Sequence, residues 1–161
     1  EIQNLCLKNN KELVVYLSMA FGNPYGENYH PDIVAELTEK LHKLEVKTIA
    51  LSDTIGVSSP INIMPLFSTL IEEYPTIEFG AHFHTTTDTW QEKVESAYQN
   101  GCRRFDAALK GYGGCPMAKD DLVGNMPTEK LITCFSDDLE LNKEELEISL
   151  IHSVKVFTQF E

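Results

Sequence analysis

Ile77-Glu78-Phe79-Gly80-Ala81-His82-Phe83-His84 is an apolar run that ends in two imidazoles spaced i, i+2. It reads as one β-strand, and strand side chains alternate faces, so both rings are expected to point the same way. Two neutral imidazoles side by side at a strand end can chelate a divalent metal that one ring would hold weakly. An HxH pair alone is a weak signal, because buried histidines are often only hydrogen-bonded. Position strengthens it: Gly111-Tyr112-Gly113-Gly114-Cys115-Pro116 follows as a mobile-looking glycine loop presenting one thiol, and Gly124-Asn125 comes shortly after.

The pattern on either side of this run repeats as strand then helix. Residues 1–12 read as the last turns of a helix stopped by Asn9-Asn10. Leu13–Met19 is a β-rich strand, followed by a helix that opens at Pro31, a favoured first helical position. Lys47–Ser52 is the second strand, and it leads through Asp53-Thr54-Ile55-Gly56 to a helix from Pro60 with Ser59 as N-cap. Ile77–His84 is the third, with a helix from about Asp88 to Asn100 closed by Gly101. Arg103–Leu109 is the fourth, succeeded by the glycine loop and a helix from Pro127. A last helix spans about Lys143 to Phe157, its apolar side made by Leu146, Leu150, Val154 and Phe157. Strand starts near 13, 47, 77 and 103 suit parallel βαβ units. Asn23, Asp53, His82, His84 and Cys115 gather where strands hand over to helices, where chemistry sits in open α/β sheets and in TIM barrels alike. No GxGxxG follows any strand and no P-loop motif is present, which disfavours dinucleotide and nucleoside-triphosphate readings.

Composition sets the outer limits. A chain of 161 residues with 42% hydrophobic and 24% charged residues is long enough for one domain with a sizeable core. No apolar run approaches the roughly 18 to 20 residues of a membrane span. Cys6, Cys102, Cys115 and Cys134 show no CxxC spacing, so reduced thiols and a cytoplasmic location are expected. A formal net charge of −12 argues against nucleic acid or anionic membrane as a partner. A phosphate-bearing substrate would then need a local basic patch, and Arg103, Arg104, Lys110 and Lys119 around the glycine loop are candidates for one, although such residues are usually solvated surface.

SMAFGNPYGE (18–27), LSDTIGV (51–57), AHFHTTTD (81–88) and GYGGCPMA (111–118), with GN at 124–125, together resemble the 3-hydroxy-3-methylglutaryl-CoA lyases, here of bacterial type. These are metal-dependent lyases and synthases built on a TIM barrel. HxH is shared with isopropylmalate and homocitrate synthases, whereas the GGCP loop points to the lyase. The resemblance implies the C-terminal portion of a (β/α)8 barrel over residues 1–161, with four parallel βα units plus a C-terminal helix. It implies that His82, His84 and Asn125 are metal ligands, that Cys115 is a catalytic thiol on a mobile loop, and that His82 shares in catalysis. Asp53, at the rim of the metal site, and Thr54 are expected in hydrogen-bonding or substrate-binding roles. Mg²⁺ or Mn²⁺ is favoured, with Zn²⁺ as an alternative. The reaction implied is retro-Claisen cleavage of 3-hydroxy-3-methylglutaryl-CoA to acetoacetate and acetyl-CoA, a step of leucine degradation.

Two departures qualify the match. The segment between Cys115 and Asn125 is one residue longer than the family pattern, and nothing here matches the Asp ligand and Arg of the family's first strand. The expected partners are therefore an acyl-CoA substrate, the N-terminal half of the same barrel and further copies of the chain, and the chain by itself is expected to be inactive. Two alternatives stand beside this reading: a Claisen-type acyl-CoA synthase, and a half-barrel without turnover.

Overall fold

The computed structural model describes residues 1–114, 123–136 and 139–157. Helix α1 (Ile2–Lys8) precedes four βα units, which contain strands β1 (Val14–Leu17), β2 (Thr48–Ser52), β3 (Glu78–His82) and β5 (Arg104–Phe105). These strands are parallel and lie side by side in chain order, β1-β2-β3-β5. A sheet that never reverses its strand order is the arrangement of a barrel wall, not of a doubly wound sheet. The helices between and after the strands are α2 (Pro31–Lys43), α3 (Pro60–Glu73), α4 (Trp90–Gln99) and α5 (Thr128–Cys134), and α6 (Lys143–Phe157) ends the described chain.

The helix boundaries follow from local chemistry. Pro31 and Pro60 each occupy a first helical position, where the missing N–H costs nothing. Ahead of α3, the Asn62 side-chain oxygen accepts from the Ser59 N–H at 2.8 Å, which fixes the entry of the chain. Gly101 closes α4 at φ +94°, a conformation that L side chains resist, and a Cβ there would meet Ile71 at 3.0 Å.

Alternation along the strands gives the sheet two unlike faces. Leu17, Ile49, Leu51, Phe79 and Ala81 join Ile63, Phe67, Leu70, Val94 and Ala97 of α3 and α4 in the core. Cross-strand register places Tyr16, Ala50, Gly80 and Arg104 on the opposite face, with Ser52 beside His82 at its C-terminal end. Apolar side chains thus meet helices, and small or polar ones line the face a barrel would enclose.

Two expected strands are shorter than their sequence suggests. The run from Ile77 to His84 is not one strand: the chain leaves the sheet after His82, and His84–Thr85 forms β4, antiparallel to β6 (Gly124–Asn125). Phe83 is the pivot, buried against Phe21 and Phe67 with ring centroids 5.7 and 6.5 Å away. The expected strand Arg103–Leu109 holds the sheet only over Arg104–Phe105. Beyond it the Ala108 N–H donates to Met126 O and the Thr128 N–H donates to Ala108 O, both at 2.9 Å, so the backbone changes partners. Periodicity reports faces, and it is blind to such a change of partner.

Candidate active site

The site lies at the C-terminal end of the sheet. A cavity of about 500 Å³ there is lined by Tyr16, His82, Asp106 and Asn125 among others. His82 ends β3 on the polar face, and its Nδ1 lies 3.3 Å from Asp106 Oδ2. That same carboxylate oxygen accepts from the Tyr16 hydroxyl at 2.7 Å, and the Tyr16 ring meets the His82 ring edge-on at 5.5 Å. The hydrogen bond from His82, joined by that from Tyr16, holds the Asp106 carboxyl below its ordinary range, and the bond to Asp106 raises the Tyr16 phenol. An ionised carboxylate only accepts, so Nδ1 of His82 is the donor in this contact, and Nε2 is the ring nitrogen not engaged by it.

His84 reaches the same result from different partners. Its Nδ1 lies 2.8 Å from the backbone oxygen of Asp53, again an acceptor only, so Nδ1 donates and Nε2 is the nitrogen this contact leaves open. The two rings stand 5.4 Å apart, centroid to centroid, at 80°. Within the β4–β6 ladder, His84 pairs directly with Asn125. The Asn125 Nδ2 donates to Tyr112 O at 2.8 Å, which turns the amide so that its oxygen is the end left to face a ligand. Gly113 makes that contact possible at φ +84°: a Cβ there would come within 2.9 Å of the Asn125 Nδ2. Over its described part the glycine loop contacts β6. Asn125 N–H donates to Gly113 O at 3.3 Å, and a Cβ on Gly114 would approach Val123 O to 2.9 Å.

Beneath these donors lies a buried charge pair. Asp53, expected at the rim, is 1% exposed. Its carboxylate accepts from Ser58 N–H at 3.1 Å, from Ser58 Oγ at 2.5 Å and from Lys93 Nζ at 2.8 Å. The physical reason for its burial is this set of donors, which replaces the water it gives up. Lys93, in α4, is as buried as its partner. Thr54 accepts from the Met19 N–H at 2.8 Å through its Oγ1, tying the β2 loop to the β1 loop.

The remaining candidates do not form one cluster. Arg103 turns outward, stacking over Tyr98 at 4.0 Å and donating to Tyr98 O and Cys102 O. Arg104, on the opposite strand face, pairs with Glu78 at 3.6 Å. Adjacent strand residues point apart, so the expected basic patch is divided between two sides of the sheet. Lys110 donates its backbone N–H to Glu129 at 2.9 Å. Cys115 and Lys119 lie outside the described residues. Three contributors escaped the sequence reading. Asp106 and Tyr16 had a signal available, a polar side chain near a strand end on the His82 face. Lys93 had none, because a lysine in an amphipathic helix reads as solvated surface.

The donors suit a divalent ion: two imidazole lone pairs and one amide oxygen, each fixed in direction by a hydrogen bond on its other polar atom. Among the described residues, no group of three or more His, Cys, Asp or Glu side chains is placed to hold an ion. His82, His84 and Asn125 bring two imidazoles and an amide together without a carboxylate in the set.

A parallel sheet in barrel-wall order, with histidines and an asparagine converging at its C-terminal end, defines the chain as part of a TIM-barrel-type α/β enzyme fold. The HMGL-like family pattern matches residues 5–156, and the chain belongs to that family. It is 32% identical over 132 residues to a hydroxymethylglutaryl-CoA lyase of Bacillus subtilis, covering 82% of this chain and 44% of the relative. It is 34% identical over 122 residues to an (R)-citramalyl-CoA lyase of Chloroflexus aurantiacus, covering 76% of this chain and 38% of that one. A crystal structure of the Bacillus subtilis HMG-CoA lyase superposes with a TM-score of 0.83 at 30% identity, covering 96% of this chain and 52% of the other. The chain thus spans less than half the length of these curated relatives and about half of that structure. No helix among the described residues is long and apolar enough to cross a membrane.

Proposed function

We propose that the chain supplies the histidine–asparagine side of the active site of a divalent-metal-dependent acyl-CoA lyase that cleaves 3-hydroxy-3-methylglutaryl-CoA to acetoacetate and acetyl-CoA. The observation that carries this reading is the convergence of His82 and His84, each with Nδ1 on an oxygen acceptor, with Asn125 paired to His84 in register. In this reading residues 1–161 form the C-terminal part of a (β/α)8 barrel, whose other half would bring the missing carboxylate ligand. A bound Mg²⁺ or Mn²⁺ would supply Lewis acidity to the substrate's hydroxyl and neighbouring oxygen.

The chain's own residues then have distinct tasks. His82, His84 and Asn125 hold the ion's place, with Asp106 and Tyr16 keeping the His82 ring in one orientation. With Nδ1 bound to Asp106, His82 has a single free nitrogen, and a nitrogen that ligates cannot also accept a proton. Its share in catalysis is therefore that of a ligand. In the cleavage the hydroxyl loses its proton, the carbon–carbon bond breaks, and the hydroxyl-bearing carbon becomes the ketone of acetoacetate. The carbon left on the thioester side takes up a proton, and Cys115 retains the role of its donor that the family resemblance implies.

The 34% identity to an (R)-citramalyl-CoA lyase gives citramalyl-CoA as a second substrate to test. The intact protein, supplied with Mn²⁺ and each thioester in turn, is expected to release acetyl-CoA from 3-hydroxy-3-methylglutaryl-CoA, and His84→Ala to lower the rate by about 10²-fold or more. Faster turnover of citramalyl-CoA would transfer the assignment to that substrate. Release of acetyl-CoA from neither would leave the lyase reading without support.

A further inference from the structure

We infer that Lys93 is a positioning residue for His84, holding it through a closed ring of buried contacts with Asp53. This inference rests on His84 being a metal ligand. Taking an ammonium and a carboxylate out of water costs several kcal/mol per ion, so a buried pair has to be supported by complete hydrogen bonding. Lys93 has three donors, and three acceptors surround it: Asp53 Oδ2 at 2.8 Å, His84 O at 2.8 Å and Gly56 O at 3.1 Å. A lysine that merely neutralised Asp53 would need only the first.

The other two contacts show what the ammonium organises. Asp53 and Gly56 belong to the turn after β2, whereas His84 belongs to β4, so one side chain from α4 ties that turn to β4 just beyond the last β2–β3 backbone contact, from Asp53 N–H to His82 O at 2.9 Å. His84 is consequently held at both ends. Its carbonyl accepts from Lys93, and its Nδ1–H donates to the backbone oxygen of Asp53, whose carboxylate is itself on Lys93. The contact at Nδ1 selects the tautomer that presents Nε2, and the contact at the carbonyl fixes the backbone that carries the ring. Ser58, which donates to the Asp53 carboxylate twice, keeps that residue from following the lysine if the lysine moves.

The test compares Lys93→Met and the double variant Lys93→Met/Asp53→Asn with the unsubstituted intact protein. Long-range ¹H–¹⁵N NMR without metal reads the His84 tautomer, electron paramagnetic resonance of free Mn²⁺ reads metal affinity, and a thermal melt reads the fold. In the unsubstituted protein His84 should show Nδ1–H alone. Lys93→Met should mix the tautomers and weaken Mn²⁺ binding about 10- to 100-fold, the usual effect of losing a residue that orients a ligand. The double variant, which leaves no buried charge unpaired, should regain the melting temperature but not the affinity. A folded variant of either kind with unchanged Mn²⁺ affinity and a single His84 tautomer overturns the inference, as does a double variant that recovers affinity together with stability. An unsubstituted protein that binds no Mn²⁺ sinks the metal reading instead, and the metal-free tautomer measurement then decides Lys93 by itself.

Discussion

Gly113 couples the backbone of the glycine loop to the chemistry of Asn125. At φ +84° an alanine is strained, and its Cβ would sit 2.9 Å from the Asn125 Nδ2, so the amide must rotate or the loop must lift. Gly113→Ala should destabilise the protein by about 1 kcal/mol or more and weaken Mn²⁺ binding, read from a urea melt and a metal titration respectively. Unchanged affinity would mean that Asn125 is not held for a ligand. Cys102 gives the opposite kind of residue, one whose chemistry is suppressed. Burial pushes its thiol up to about 12, so it stays protonated and unreactive. Because the folded state keeps this proton longer than the unfolded chain, the stabilisation is complete below the unfolded thiol value of about 8.5 and declines as pH rises towards 12. Iodoacetamide at pH 8.5 should therefore leave Cys102 unmodified in the native protein and label it in urea. Rapid native labelling would show that the thiol is not closed off.

At the scale of elements, the break between β3 and β4 places both histidines, and Phe83 makes the break. With one side chain buried against Phe21 and Phe67, the chain can send His82 to the sheet and His84 to the β6 ladder. Phe83→Ala should cost about 3–5 kcal/mol, the usual penalty for emptying a buried aromatic site, and should disturb Mn²⁺ binding even under conditions where the fold survives. A loss below about 1 kcal/mol in a chemical melt would remove Phe83 from this role. The same break marks where sequence reading stops being sufficient. Helix α6 was legible over its described length, because Leu146, Leu150 and Val154 repeat on one face and are half-buried there, whereas Phe157, expected on the same side, is exposed. The order of the four strands, and the gathering of polar residues at their C-terminal ends, were legible from handover points. The β4–β6 pairing was not, since His84 and Asn125 lie far apart in the chain and two-residue strands carry no period of their own. Lys93 was illegible for a related reason: its three acceptors are brought together only by the tertiary fold.

At the scale of the whole molecule, the sheet has two free margins. Among the described residues, β1 pairs only with β2, and β5 only with β3. Unpaired edges present rows of N–H and C=O groups that bind another strand readily. Among the described residues, the polar face, with Tyr16 nearly half exposed, also has no opposing layer of the kind that fills a barrel interior. The 161-residue chain prepared by itself should sediment as a dimer or larger species at micromolar concentration. A stable, well-folded monomer would mean that these margins are tolerated and that the barrel wall needs no second half.

The chain order of the strands also bears on how the molecule folds. Val14 pairs with Thr48, Thr48 with Glu78, and Gly80 with Arg104, so successive pairings span 34, 30 and 24 residues. Closing loops of such similar length differs in entropic cost by only roughly 0.3 kcal/mol, and no pairing has to wait for a longer one to form first. Strand β2 is flanked on both sides over four of its five residues and buried at all five positions, which makes the β2–α3–β3 unit the natural nucleus. Truncations in β2, such as Ile49→Val, should therefore slow refolding, whereas truncations in α6 should chiefly hasten unfolding. Equal effects on refolding at both places would place the nucleus elsewhere, and the measured order of assembly would then depart from the order of the strands.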